Sequence, residues 1–319
     1  MRVRALLMQL VVLAAVYGCG QRKVNEFQAL TFPDVMPPAM MEDPMDRAEY
    51  VAMNMWNLLL DPSRTYPSDS SFVSGVRIGD VEQKFANWAD ILNVIDNGTA
   101  SKAVSALYDK VLSCEARDTS SMLFETFTSF VEKYLFDPNS PLRNEDLYAV
   151  YASRLEKNEA LSDEMRQKYG QDVSLCTLNR VGTKAADFRF ADKRGQIRTL
   201  YGIKAPYTLL FFSNPGCKAC MDIINVLKDE PRMAGLISSG LLAVLNIYID
   251  EDIAAWRSYM PVYPEEWYNG FDPDFIIRSE ALYNVRAIPS LYLLDADKSV
   301  IMKDAPEQRV FDFLWNLGQ

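Results

Sequence analysis

The sequence of 319 residues contains no histidine, which excludes every catalytic or metal site that requires an imidazole. It therefore has no Ser-His-Asp triad, no Cys-His nucleophile pair and no HExxH zinc site. Basic residues are also in deficit, since 33 Lys and Arg stand against 43 Asp and Glu for a net charge of -10. This balance argues against sequence-independent nucleic-acid binding, which needs a surplus of positive charge. The chemistry left to the chain is that of five cysteines, of carboxylates, or of binding alone.

The start of the chain resembles the signal of a bacterial lipoprotein. Arg2 and Arg4 precede an apolar stretch, residues 5–16, that is too short to span a bilayer as a helix. Gly18 and Cys19 follow it, and a small residue before a cysteine at this place is similar to a lipobox. We interpret residues 1–18 as a signal peptide and Cys19 as a lipidation site that anchors the protein to a membrane outside the cytoplasm. The alternative is a plain signal peptide followed by an incidental thiol.

The rest of the chain is long enough for two domains and apolar enough, at 49%, to fill two cores. Residues 19–45 carry four prolines and predict an extended tether. Residues 46–171 predict an all-α domain, whose clearest amphipathic pattern is Val81, Phe85, Trp88, Leu92 and Ile95. We expect Asn97 and Gly98 to end this helix and Asn144 to cap a later one. No motif in this domain indicates a chemistry.

Residues 172–319 predict short strands that alternate with helices. Residues 207–212 form a continuous apolar run, typical of a strand buried on both faces. This strand leads through a turn into Cys217 and Cys220 and then into a helix. Further strands are predicted at residues 241–249, 290–294 and 299–302, with a last helix that carries Val310, Phe313, Leu314 and Leu317 on one face.

The order strand, turn, CxxC, helix places two thiols at the positive end of a helix dipole. The first sulfur meets unpaired backbone N–H groups, which stabilise a thiolate, and the second lies within reach to close a disulfide. We therefore predict Cys217 as the nucleophile and Cys220 as the resolving cysteine of thiol-disulfide exchange. A zinc site would need Cys114 and Cys176, which form no second CxxC, so we expect no metal and no cofactor besides this disulfide. A purely structural disulfide is the remaining alternative.

From about residue 182 to the end, the chain resembles the thioredoxin superfamily, most closely the TlpA and ResA type of extracytoplasmic thiol-disulfide oxidoreductase. The segments that match are VGTKAADF (181–188) as the entry strand, LLFF (209–212) before the CxxC, and YNVRAIPSLYLLD (283–295). The resemblance implies an α/β thioredoxin-like fold, with a central mixed sheet flanked by helices. It also implies a cis peptide at Ile288-Pro289, whose backbone pairs with the bound substrate. The whole chain, including YLFDPNSPLRNE (134–145), resembles lipoproteins of anaerobic Gram-negative bacteria in which a helical domain of unknown function comes first.

Two positions depart from the family pattern. Phe211 stands where thioredoxins carry a buried aspartate, and Ile223 stands where the ResA type carries a glutamate. The proton acceptor for Cys220 is therefore missing from its usual places, and Asp222 is a substitute only if it turns inward. Lys218 either favours the Cys217 thiolate through its charge or is an ordinary solvated lysine.

Two questions stay open in the sequence. Cys114 and Cys176 either form a structural disulfide, which would close a long loop and add about 4 kcal/mol of stability, or are two buried free thiols. Residues 256–277 lie in an insertion before the proline segment, which either frames a substrate groove or is an ordinary packed excursion.

The function that this sequence predicts is a lipid-anchored thiol-disulfide oxidoreductase, with reductase or isomerase activity favoured over oxidase. Its partners would be thiols and disulfides of extracytoplasmic proteins and an electron donor at the membrane. Gln21, Arg22 and Lys23 lack the acidic run associated with surface export, which favours the outer membrane facing the periplasm. The alternative is a non-catalytic binding lipoprotein in which the thioredoxin-like part is a scaffold.

Overall fold

The computed structural model describes residues 28–64, 66, 70–118 and 120–317. Cys19 and the predicted signal peptide lie outside these residues, so lipidation stays a prediction. None of the described helices is both long and apolar enough to cross a membrane. Two regions follow one another in the described residues: a helical region that ends at Cys176, and an α/β region whose first sheet strand begins at Arg189.

The helical region contains six α-helices and a small hairpin in its described residues. A π-helical turn, Glu132–Phe136, continues the fourth helix. In chain order the elements are α1 (Pro44–Asn54), β1 (Phe72–Val73), β2 (Val76–Arg77), α2 (Ile78–Leu92), α3 (Asn97–Glu115), α4 (Leu123–Val131), α5 (Glu145–Glu156) and α6 (Asp163–Cys176).

Aromatic rings fill the core of the helical region. The Trp56 ring lies 5.2 Å from Phe127 and 5.9 Å from Phe85, and both phenylalanines are fully buried. The amphipathic pattern predicted for α2 is confirmed for Val81, Phe85, Trp88 and Leu92, which are buried against this core, whereas Ile95 is buried beyond the end of the helix.

The predicted helix ends are partly wrong. Asn97 and Gly98 do not end α2 but open α3, because the Asp96 side chain caps α3 by accepting the Thr99 N–H at 2.9 Å. The predicted cap at Asn144 is confirmed, since its side chain accepts the Leu147 N–H at 3.1 Å. Short-range signals therefore identified the helix start at Asn144 and mistook the helix start at Asn97 for a helix end.

The described part of the predicted tether contacts the helical region instead of extending away from it. The Leu30 N–H donates to the Gly75 carbonyl at 2.8 Å, and the Phe32 ring lies 5.9 Å from Trp56. An aromatic side chain gains more from this apolar contact than from solvent, which explains the difference. The other predicted boundary, at residues 171 and 172, falls inside α6.

The α/β region forms a seven-stranded mixed sheet among the described residues, in the order β4-β3-β7-β6-β5-β8-β9. Its elements are β3 (Arg189–Asp192), β4 (Ile197–Thr199), β5 (Tyr207–Phe212), α7 (Lys218–Asp229), α8 (Pro231–Ser238), β6 (Leu242–Tyr248), α9 (Ile253–Tyr259), β7 (Tyr268–Phe271), α10 (Ile276–Ser279), β8 (Ser290–Leu294), β9 (Val300–Met302) and α11 (Glu307–Asn316). Strand β5 pairs in parallel with β6 and antiparallel with β8. The predicted fold class, a mixed sheet flanked by helices behind a helical region, is confirmed.

Strand β5 is buried on both faces, as its apolar run predicts. Leu209 and Phe211 pack on one face with Cys220 and helix α7, while Leu210 and Phe212 pack on the other. The entry strand predicted at residues 181–188 is wrong, because this segment makes an isolated bridge between Lys184 and Ser299.

The insertion at residues 256–277 packs against the sheet, and seven of its residues between positions 260 and 269 also line a cavity. It buries Trp256, Tyr263 and Trp267 in the core on the Cys220 side of the sheet. It also supplies β7, which adds a strand beside β6. These three aromatic residues of the segment are therefore core residues.

Candidate active site

Cys217 and Cys220 form a disulfide at the start of helix α7, with their Cα atoms 5.3 Å apart. Cys217 is the N-cap residue of this helix, and its sulfur accepts the Cys220 N–H at 3.1 Å. A sulfur in this position faces unpaired backbone N–H groups and the positive end of the helix dipole. In the reduced protein both effects favour the Cys217 thiolate.

The two sulfurs differ in access to solvent. Cys217 is half-buried, whereas Cys220 is 1% exposed and packs against the core beneath α7. Gly216, just before them, has a φ of +75°, a conformation that favours glycine over residues with a side chain. This asymmetry suits an outer thiol that attacks a substrate and an inner thiol that resolves the adduct.

The Ile288-Pro289 peptide is cis and lies at the same edge of the sheet as the disulfide. Ser290, the first residue of β8, pairs with Phe212, the last residue of β5. The segment before β8 and the loop after β5 therefore leave the sheet side by side. Ile288 and Cys217 both pack against the core on the α7 side, and Ile288 and Pro289 are half-buried.

No carboxylate replaces the missing proton acceptor on helix α7. Phe211 and Ile223 are buried, as apolar residues at these positions should be. Asp222 pairs with Lys218 at 2.8 Å on the helix surface, and the two side chains are 62% and 88% exposed. The hypothesis that Asp222 turns inward is therefore wrong, because its carboxylate lies on the solvent side of the helix.

A neutral polar chain, absent from the sequence prediction, lies below the CxxC loop. Asn246 of β6 pairs in register with Phe211, and its side chain accepts a hydrogen bond from the Ser213 hydroxyl at 2.5 Å. The Asn246 amide then donates to the Asn269 side chain at 3.0 Å. All three polar residues are buried. The available sequence signal was an asparagine inside an otherwise apolar strand, which needs buried hydrogen-bond partners.

A second group holds the loop between β5 and α7. The Asn214 amide donates to Asp250 at 2.6 Å, and Asp250 pairs with Arg278 at 3.0 Å. The Cys217 N–H donates to the Asn214 carbonyl at 3.2 Å. These contacts connect the start of the CxxC to the end of β6, and none of the three side chains was predicted from the sequence.

Comparison with known proteins agrees with the fold. Residues 19–179 match the family described as Domain of unknown function (DUF5106). The solved structure of a thioredoxin-like protein from Bacteroides caccae ATCC 43185 is 34% identical, covers 92% of this chain and 100% of its own, and superposes with a TM-score of 0.76. The chain belongs to the thioredoxin-like proteins with a DUF5106 domain. This membership supports a redox role in general terms.

Other solved structures match a smaller share of the chain. The C-terminal domain of an uncharacterized protein from Bacteroides fragilis NCTC 9343 is 44% identical, with 43% of this chain and 99% of that chain covered and a TM-score of 0.42. Conserved protein BF1870 of unknown function, also from Bacteroides fragilis, is 36% identical, with 42% and 98% covered and a TM-score of 0.41. No curated protein matches the chain.

The other two described cysteines of this thioredoxin-like protein are free and buried, which corrects the disulfide alternative for Cys114 and Cys176. Cys114, at the end of α3, lies near the charges of Asp61 and Arg117, whereas Cys176, at the end of α6, lies near those of Glu145 and Lys303. The two thiols therefore occupy different surroundings. Burial raises the pKa of both thiols above the ordinary range. The described residues contain no group of three or more Cys, Asp or Glu side chains able to hold a metal ion.

Proposed function

We propose that this protein is an extracytoplasmic, membrane-anchored thiol-disulfide oxidoreductase that acts on disulfides of other proteins. The observation that carries the proposal is the Cys217–Cys220 disulfide, with its outer sulfur at the N-cap of α7 and its inner sulfur buried. Structural disulfides need no such difference in access. The thioredoxin-like family supports the same class of chemistry.

The proposed reaction begins with the reduced dithiol. The Cys217 thiolate attacks a substrate disulfide, forms a mixed disulfide and releases one substrate thiolate. Cys220 then loses its proton to water and attacks the Cys217 sulfur, which closes the Cys217–Cys220 disulfide and releases the second substrate thiolate. Two electrons pass from the enzyme to the substrate, and a dithiol donor at the membrane side reduces the enzyme again.

Reduction or isomerisation is favoured over oxidation. Strongly oxidising members of this chemistry owe their potential to a stabilised reduced form. In this chain the residues between the cysteines are Lys218 and Ala219, with no histidine in the motif, and the Lys218 charge is paired with Asp222. Ile288 and Pro289 would pair with the extended backbone of the substrate beside the disulfide.

Insulin reduction with dithiothreitol tests the enzyme activity. We expect the wild-type protein to accelerate the reaction and the Cys217→Ser variant to lose the acceleration. Cys114→Ser is the matched control, because it removes a thiol far along the chain from the CxxC. Equal rates for wild type and Cys217→Ser would reject the proposal.

Mixed-disulfide trapping distinguishes the enzyme from a binding lipoprotein. In Cys220→Ala the resolving step is absent, so substrates should stay bound to Cys217 and be released by reductant. A preparation with no reducible adducts, together with an inactive wild-type protein, would favour the binding role.

The proposed lipid anchor on Cys19 has its own test. A diacylated protein partitions into the detergent phase of a Triton X-114 separation, because two acyl chains give stable membrane attachment. We expect Cys19→Ala to move the protein into the aqueous phase. Recovery of both proteins in the same phase would contradict the anchor and leave the redox activity unaffected.

A further inference from the structure

Six charged side chains meet where the helical region contacts the α/β region, and we call them the interface ion cluster. Three carry positive and three carry negative charge: Arg143, Glu145, Asp146, Arg286, Lys303 and Asp304. Asp146 is 21% exposed, the most of the six, and Glu145 is 1% exposed. Charges buried to this degree need partners, because an unpaired buried charge is strongly unfavourable.

Glu145, at the start of α5, is the centre of the cluster. Its Oε1 accepts from Arg286 Nε at 2.6 Å and from Asn284 Nδ2 at 2.9 Å. Its Oε2 lies 3.1 Å from the Lys303 ammonium. All three partners belong to the α/β region, so one carboxylate of the helical region holds three side chains of the other region.

Two of those partners belong to the cis-proline segment, residues 284–290. Asn284 and Arg286 lie four and two residues before Ile288. Arg286 also donates to the Phe136 carbonyl, and its guanidinium lies 4.3 Å from the centre of the Phe136 ring. The helical region therefore contacts this segment through a carboxylate, a carbonyl and an aromatic ring.

The other end of the segment is held from within the α/β region. The Ser290 hydroxyl donates to Asp304 at 2.7 Å, and Asp304 lies 3.3 Å from Arg286. Arg143 of the helical region in turn donates to the Asp304 carbonyl at 2.8 Å. The half-buried Ile288 and Pro289 thus lie between two anchored ends.

We propose that the helical region positions the cis-proline segment of the active site, with Glu145 as the positioning residue that acts through Arg286 and Asn284. This inference rests on the proposed function, because it assigns the helical region a role in that same site. It predicts that loss of Glu145 weakens the binding of an extended substrate while the Cys217–Cys220 pair keeps its own chemistry.

The chain offers a matched control at the same interface. Arg309, in α11, donates to the Asn93 carbonyl at 3.0 Å and to the Asn93 side chain at 2.9 Å. This contact joins the two regions but involves no residue of the segment 284–290. Arg309→Met should therefore weaken the interface without releasing the segment.

The test compares Glu145→Ala, Glu145→Gln and Arg309→Met in the full chain, with insulin as substrate. We expect Glu145→Ala to raise KM at least fivefold with kcat changed less than twofold, Glu145→Gln to give a smaller increase, and Arg309→Met to leave KM within twofold. The rate at which dithiothreitol alone reduces the disulfide should stay within twofold in all three. Equal KM values for Glu145→Ala and Arg309→Met would overturn the proposal.

A double variant separates positioning from stability. Glu145→Ala leaves the Arg286 charge buried with fewer partners, and Glu145→Ala combined with Arg286→Met removes that charge as well. We expect the double variant to regain part of the lost thermal stability while KM stays at least fivefold raised. Recovery of both together would show that the single variant acted through stability alone and would overturn the proposal.

Hydrogen exchange tests whether Glu145 holds the cis-proline segment in place, and it needs no activity measurement. Amides of residues 284–290 should exchange at least fivefold faster in Glu145→Ala than in Arg309→Met, with strand β5 unchanged between them. An inactive wild-type protein would reject the proposed function, and the exchange comparison would still decide whether Glu145 holds the segment. Equal exchange in the two variants would overturn the positioning role.

Discussion

The helical region and the α/β region each contain two of the described cysteines, and these pairs behave differently. Cys114 and Cys176 are buried near helix C-termini, where no backbone N–H groups stabilise a thiolate, and burial raises the pKa of both. Cys217 caps a helix N-terminus with Cys220 beneath it. The reactivity of a cysteine thus follows from which helix end it occupies and how far it is buried.

The regions also differ in how they use buried charge. The core around Trp56 and Phe127 is aromatic, whereas charged groups collect at the contact with the α/β region around Glu145. The helical region therefore has a core of its own, but its buried charges at the boundary find their partners in the α/β region. The following predictions test how far the two regions depend on each other, beginning with the largest expected effect.

Phe127→Ala tests whether the two regions unfold together. Phe127 is fully buried and its ring lies 5.2 Å from Trp56, so truncation should lower the free energy of unfolding by about 4 kcal/mol through the cavity it leaves. Unfolding of the helical region would leave the α/β charges of the interface ion cluster without their partners. We therefore expect the urea transitions of α2 and of β5, both measured by hydrogen exchange, to shift together. Met165→Ala, on the exposed face of α6, is the control and should change stability by less than about 0.5 kcal/mol. A β5 transition that does not move would show that the regions unfold independently.

Asp304→Asn tests the boundary between the regions. Burial and the nearby Glu145 carboxylate raise the pKa of Asp304 to about 6 from an ordinary value of 3.8. The folded protein therefore binds this proton more tightly, and the resulting stability is fully present below pH 4 and lost as the pH rises through 6. A shift of about two pKa units corresponds to about 3 kcal/mol, so wild type should lose up to that amount relative to Asp304→Asn between pH 4 and 7.

The measurement is urea unfolding of both proteins at intervals across this pH range. Arg309→Met serves as the control, because it weakens the same interface without removing a carboxylate and should shift the curve by the same amount at every pH. A constant difference between wild type and Asp304→Asn would contradict the raised pKa.

Alkylation of the reduced protein compares the cysteines of the two regions directly. At pH 7 iodoacetamide should modify Cys217 about 100-fold faster than Cys114 or Cys176, equivalent to about 2.7 kcal/mol in activation free energy. The reason is that the thiolate reacts, and only Cys217 combines a helix N-terminus with partial exposure among these three. Peptide mass spectrometry gives the rates, and in urea the cysteines should react at similar rates. Fast labelling of Cys114 or Cys176 in the folded protein would contradict the predicted difference in thiol reactivity between the two regions.

Local features of this fold were predictable from the sequence because they depend on neighbouring residues. The apolar run of β5 and the polar cap at Asn144 are read within a few positions, and both were confirmed. The CxxC lies at the start of α7 for the same reason. The error at Asn97 and Gly98 shows the limit, since the same residues are compatible with ending one helix and beginning the next.

Features that depend on distant residues were not predictable. Glu145 and Arg286 are separated by 141 positions, and only the packing of the two regions brings them together. The pairing of Cys114 with Cys176 could not be decided either, because it depends on where two helices end in space. Asn246 was visible as a polar residue in an apolar strand, but its partners on two other segments were not.

Lys218 has the smallest expected effect and contrasts with Lys303 of the interface ion cluster. Both lysines pair with carboxylates, but Lys303 is 2% exposed and Lys218 is 88% exposed. Lys218→Ala should change the free energy of unfolding by less than about 0.5 kcal/mol, because a solvated pair gains little from Coulomb attraction. Since Asp222 balances its charge, the alkylation rate of Cys217 should change less than twofold, whereas Asp222→Ala should accelerate it by leaving the lysine charge unbalanced. A tenfold slower rate in Lys218→Ala would instead assign Lys218 a direct part in stabilising the Cys217 thiolate.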